Sequence, residues 1–184
     1  LPTSFWRTDL RAPSLRGSSA VALTVLVALA AWLAGGATPA QADGGPTAGT
    51  AAKARFGPAV LAELNRVRAK HGLRPVVGDR RMARTAARHS RDMARRGYFA
   101  HGPWGGRVAR AAGGPRRVGE VIGWLTRATP ASEARRVVRG WLDSPAHRHV
   151  MLDGGFQRVG IGRAAGRVGS LRAALYTVDW ASAR

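Results

Sequence analysis

The stretch 79–101, DRRMARTAARHSRDMARRGYFAH, decides the reading of this chain. Asp79 is the kind of residue that accepts hydrogen bonds from the free N–H groups of a helix start. Met82, Ala86, His89, Ser90 and Met93 then recur at helical spacing and make one inward face. Arg84, Arg88, Arg91 and Arg95 line the other side. Gly97 stops the helix, because glycine enters the left-handed cap conformation without steric cost. Ala83, Ala86 and Ala87 leave room for a second element to pack closely.

Upstream, Val60, Leu61, Leu64 and Val67 form an apolar stripe that predicts a helix from about Pro58 to Lys70, ended by Gly72 and followed by Pro75 in an extended segment. Downstream, glycine is dense from Gly102 to Gly123, which reads as a long loop region of functional or mobile character. Thr129-Pro130 opens a further helix with Ala134, Val137, Val138, Trp141 and Leu142 on its buried stripe. Ser144-Pro145 starts a short helix that ends before Gly154-Gly155, and Val159 to Ile161 and Leu171 to Trp180 read as strands. Helices around a small antiparallel sheet make an α+β layered domain.

The first part of the chain reads differently. Arg7, Arg11 and Arg16 precede an apolar run from Ala20 to Ala34, shorter than the ~20 apolar residues a span needs. Thr38-Pro39-Ala40-Gln41-Ala42 carries an A-x-A cleavage pattern. Residues 1–42 are therefore expected to be a secretory signal peptide or, uncleaved, an N-terminal anchor. Residues 43–55, rich in Gly, Ala and Thr, are expected to be a flexible linker before a domain over 56–184. Either way the domain is expected to be secreted or held outside the membrane, with no span in its mature form.

Charge and cysteine content narrow the function classes. The net charge is +20, and losing three arginines and Asp9 with residues 1–42 leaves +18. All basic side chains except Lys53 and Lys70 are arginine. Such a balance suits a polyanion partner, but the arginines are spread along the chain with no basic tail and little aromatic interleaving. The reading is a solvated basic surface, with no nucleic-acid partner expected. The absence of cysteine excludes disulfides, thiolate metal sites and cysteine nucleophiles.

An ordered set of short motifs resembles the CAP (SCP-like) superfamily, in its bacterial branch. Leu64-Asn65-Arg66 with Arg68, then His71-Gly72-Leu73 and Pro75, is similar to its opening motif. Met82, Ala86-Ala87, His89-Ser90 and Asp92-Met93 continue it, and Gly97-Tyr98-Phe99-Ala100-His101 resembles its G-Y-F-S-H. Gly119-Glu120 resembles G-E-N, and Trp141, Ser144-Pro145 and His147-Arg148 resemble W-x-x-S-P-x-H-R. Phe156, Gly160-Ile161-Gly162, Tyr176-Thr177 and Asp179-Trp180 match the closing strands. The resemblance implies an α-β-α sandwich, a small antiparallel sheet between helical layers. The chain departs from the pattern at Val121, where the family places Asn, at Ser144, where plant members place a second acid, and at Val150.

The resemblance also brings His101, Glu120 and His147 into one cleft. Two imidazoles and a carboxylate suit a divalent metal such as zinc. Ser144 as N-cap and Pro145 at the first position put His147 at the positive end of a helix, which favours its neutral form. Glu120 is the only acid between Asp92 and Glu133. Trp104 and Trp124, in the Gly-rich region, and Ser144 are candidates for ligand contacts. His89 reads as a hydrogen-bonded core histidine, His149 as a surface residue, and Trp141 and Trp180 as core anchors. There is no H-E-x-x-H, P-loop or G-x-S-x-G, and Gly160-Ile161-Gly162 lacks the helix a nucleotide loop requires.

Three functions follow as expectations. The first is an extracellular binding module, expected to be monomeric, with a cleft for a divalent metal or a small or lipid ligand. The second is a metal-dependent hydrolase with Glu120 as general base. The third is a cationic protein that binds anionic cell-envelope polymers.

Overall fold

In the computed structural model, residues 48–115, 117–126 and 130–183 are described, with side chains from Phe56 onward except at 130 and 131. The segment expected to be a signal peptide or anchor lies outside the described residues. Among the described residues no helix is long and apolar enough to cross a membrane.

Helix α2 (Arg80–Arg96) forms as its sequence implies. The Asp79 carboxylate accepts from the N–H groups of Arg81 and Met82, and Gly97 closes the helix at φ 70°. Helix α1 (Ala48–Lys70) starts earlier than the apolar stripe implies, so residues 48–55, expected as linker, are helical. Pro58 sits inside this helix, where it cannot donate to the carbonyl one turn back. The Gly-rich region is not one long loop. It holds helix α3 (Trp104–Ala112), which buries Val108 and Ala112, and strand β2 (Val118–Leu125). Gly119 hid this strand from a sequence reading. A Cβ there would lie 2.9 Å from the Phe156 ring, so the position needs glycine for close packing.

Helices α4 (Pro130–Asp143) and α5 (Pro145–Met151) follow, then strands β3 (Arg158–Val168) and β4 (Leu171–Ala181). With β1 (Val77–Gly78) the strands form one sheet in the order β1-β3-β4-β2. The sheet is antiparallel except at β1, which runs parallel to β3 where the chain enters from α1.

The two faces of the sheet carry different layers. Leu64, Val138, Trp141, Val121, Val178 and Trp180 join α1, α4 and the sheet in the larger core. Met93, Ile122, Trp124 and Leu175 form a smaller core beneath α2, and Met82, Val108 and Ala112 join α2 to α3. This is an α-β-α sandwich. Gly160 and Gly162 have a packing role. A Cβ on either would come within 2.2–2.3 Å of the α2 backbone at Met82 and Ala86, so β3 and α2 meet backbone to backbone. Buried Arg68 ties the layers at one end, donating to the carbonyls of Arg74, Met151, Asp153 and Phe156.

Candidate functional site

Strand β2 is one edge of the sheet, and α3 and α5 both pack against it. Period-2 alternation puts Glu120 on the α2 side, directly opposite Asp179 of β4. Both carboxyls are buried. Arg107, one turn into α3, donates to Glu120 Oε2 and, at 3.4 Å, to Asp179 Oδ2. His101 lies in the connection after α2, and its Nδ1 donates to Glu120 Oε1 at 2.8 Å. His89 Nε2–H holds that connection by donating to the Ala100 carbonyl at 3.1 Å. His89 is thus the hydrogen-bonded core histidine its helical position implies.

His147 enters from the opposite layer, at the third position of α5. Ser144 occupies the N-cap, but its side chain makes no capping bond. The His147 ring is buried, and its Nδ1 has no hydrogen-bond partner. Burial first, and then the charge of His101, depress its pKa to about 4. The two imidazoles are therefore near enough to feel each other electrostatically.

Electrostatics separates the two carboxyls. Burial pushes Glu120 up, but the His101 hydrogen bond and the Arg107 charge outweigh it, and the group stays ionised below the usual range. Asp179 goes the other way. Burial, with a further push from the Glu120 charge, raises it to about 8 against the pull of Arg107. At neutral pH the site sets one carboxylate, Glu120, and one carboxylic acid, Asp179, beside the Arg107 guanidinium and the His101 and His147 rings.

The residues expected to bind metal do not form a three-donor site as arranged. Both Glu120 oxygens are taken, and Arg107 already supplies a cation there. Among the described residues no group of three or more His, Asp or Glu side chains is placed to hold an ion. Glu120 instead holds the part-exposed His101 ring through its Nδ1 hydrogen bond.

Of the expected ligand contacts, Trp104 lines an open groove of about 900 Å³ beside Glu120. Trp124 does not. It is 9% exposed and packs with Met93 and Leu175, because the alternation of β2 turns it under α2. Ser144 is half-buried at the start of α5 and does not line the groove. Val118, Val150, Leu152 and Phe156 give the groove apolar walls, and Arg117, Arg148, His149 and Asp153 also line it. Trp141 is core, donating its indole N–H to the Ile122 carbonyl, and Trp180 packs on Phe156. Arg107 and Asp179 were missed as site residues. Their only signals were an arginine one turn into an unrecognised helix and an acid inside a hydrophobic strand.

A family model of the cysteine-rich secretory protein (CAP) family matches residues 61–178, most of the described chain. The chain belongs to the CAP family. An extracellular protein containing an SCP domain from Bacillus anthracis is 26% identical at a TM-score of 0.57, covering 79% of this chain and 45% of that one. An outer surface protein of Borrelia burgdorferi shares the fold at a TM-score of 0.59 and 16% identity, covering 71% of this chain and 94% of that one. The uncharacterized membrane protein YlbC of Bacillus subtilis is 32% identical over 108 residues, 56% of this chain and 30% of its own length. This CAP chain thus spans less than half the length of its Bacillus relatives.

Proposed function

We propose that this CAP domain is an extracellular binding module whose groove beside Glu120 takes a small amphiphilic molecule with an anionic head. One observation carries the reading. The groove joins apolar walls from Trp104, Val118, Val150 and Phe156 to the cationic side chain of Arg148. Such a mixture suits an apolar body and one charged group, as ligand sites generally combine apolar lining with few polar contacts. The extracellular placement draws support from the anthrax relative, described as extracellular, and from the Borrelia outer surface protein.

The hydrolase reading receives less support from the same geometry. A general base needs a free lone pair and a pKa near the working pH. Glu120 spends both oxygens on His101 and Arg107 and is held below the usual range. The role this leaves to Glu120 is positional: it holds the His101 ring and anchors Arg107.

The test is calorimetric titration of the full chain with a long-chain fatty acid. Trp104→Ala and Arg148→Gln should each weaken binding at least about tenfold, equivalent to ~1.4 kcal/mol. Unchanged affinity in both variants would remove the reading. Zinc titrated alone is the competing arm. A rise in melting temperature lost in both His101→Ala and His147→Ala would move the assignment to a divalent cation between the imidazoles. Turnover of an ester substrate that vanishes in Glu120→Gln would restore the hydrolase.

A further inference from the structure

The fold gathers arginines that look dispersed in the sequence. Helix α2 carries Arg80, Arg81, Arg84, Arg88, Arg91, Arg95 and Arg96 and a single acid, Asp92. At 100° per residue, Arg80, Arg84, Arg88, Arg91 and Arg95 fall within roughly 80° of arc. Their stripe is centred opposite the buried residues Met82, Ala86, His89, Ser90 and Met93. All five are exposed, and the stripe runs about 22 Å along the helix. Asp92 is engaged with Arg95, Arg96 and Tyr98 at one end. Among the described residues no carboxylate lies in ion-pair range of Arg80, Arg84 or Arg88.

Like charges three and four residues apart destabilise a helix. This ridge therefore carries a repulsion that a row of bound anions relieves. We propose that the outer face of α2 docks a linear phosphodiester polymer of the cell envelope, a polyol phosphate chain. The proposal goes beyond the amphiphile groove and does not depend on it. Guanidinium groups match phosphate oxygens in a planar, two-pronged geometry. Successive i,i+4 arginines stand about 6 Å apart along the axis, which suits a chain with charges at regular intervals.

The chemistry of the ridge selects among polyanions. No Phe, Tyr or Trp lies in α2, so nothing there stacks bases as single-strand binders do. No large apolar side chain is exposed on α2 to enter a bilayer, the exposed large hydrophobics among the described residues being Val77 and Leu171. A narrow row of guanidinium groups matches an unadorned phosphate chain.

The experiment is binding of poly(glycerol phosphate) to the full chain across a salt series. The comparison ligands are an oligothymidylate of equal charge and vesicles of phosphatidylglycerol in phosphatidylcholine. The polyol phosphate should bind tightest, with affinity falling steeply as salt rises. Arg84→Gln/Arg88→Gln/Arg91→Gln should lose at least about tenfold and flatten the log–log salt slope by about 2. Arg74→Gln/Arg139→Gln/Arg167→Gln removes three exposed arginines elsewhere and should lose about threefold or less. The ridge variant should melt no lower than the parent, and the triple Arg→Lys change at the same positions should keep the salt slope. Equal losses in both Gln triples would overturn the proposal, because net charge alone would then bind. Tighter binding of the oligonucleotide or the vesicles would equally overturn it, in favour of those partners.

Discussion

Glu120 and Asp179 face each other across the β2–β4 pair, and at neutral pH one is ionised while the other keeps its proton. Arg107 sits over both. A single guanidinium cannot neutralise two buried carboxylates, so the pair resolves into one charge and one acid.

Removing the guanidinium should therefore cost more than removing the acid. Arg107→Ala leaves the buried Glu120 charge with only its His101 partner, and a loss of about 3 kcal/mol is expected in urea unfolding. Asp179→Asn keeps the shape and the neutral state and should cost less than about 1 kcal/mol at pH 6. The raised pKa of Asp179 contributes stability that is full below its unfolded value near 3.8 and lost as pH rises through about 8. In Asp179→Asn the fall in stability between about pH 4 and pH 8 should disappear. An equal or larger cost for Asp179→Asn than for Arg107→Ala would show the assignment of charges reversed.

His147 supplies the opposite slope. Its folded pKa lies near 4, below the ordinary imidazole value of about 6.5, so the unfolded chain binds the proton first as pH falls. Its contribution is full above about 6.5 and lost on acidification through 4. Between pH 7 and pH 5 the loss amounts to about 2 kcal/mol. Unfolding curves at the two pH values should converge in His147→Asn by that amount. A pH dependence identical to the parent would mean that the ring is solvated in the native state.

Two glycines separate close packing from open space. Gly162→Ala places a methyl against the Ala86 backbone and should cost about 3 kcal/mol, with a matching fall in melting temperature. Gly105→Ala, on α3 with nothing within 4 Å, should gain roughly 0.5 kcal/mol from helix propensity. Similar effects at both positions would contradict the backbone contact between β3 and α2.

Arg68 offers a test of the tie between α1 and the turn before β3. Its guanidinium donates to four carbonyls while 1% exposed. Arg68→Met strips those carbonyls of their donors and should destabilise by about 3 kcal/mol or more. Arg68→Lys should recover little of this, since an ammonium cannot span the same fork. Full recovery with lysine would show that charge, not geometry, holds the turn.

Much of this molecule is legible before any fold is known. The α2 cap, stripe and stop follow from local hydrogen bonding and helical period, and they occur where expected. The motif order implied the CAP sandwich, and the family match bears it out. The Gly-rich segment misled because glycine signals both turns and close approach. At Gly119 it serves the second purpose inside a buried strand.

The candidate site divides along the same line. His101 and Glu120 could be named from their motifs, and the fold joins them by a hydrogen bond. Arg107 and Asp179 could not, because a long-range ion pair leaves no periodic trace in either partner's neighbourhood. Trp124 looked available in a glycine-rich stretch, yet strand alternation turns it under a helix. The arginines of α2 were visible one by one. Only the helix, with its opposite face buried, makes them a single ridge. Local sequence determined α2, α4, α5 and the closing strands, since capping and periodicity act over a few residues, but not α3 or β2. Tertiary structure decided which side chains share a site, since burial, charge pairing and backbone contact depend on residues far apart in the chain.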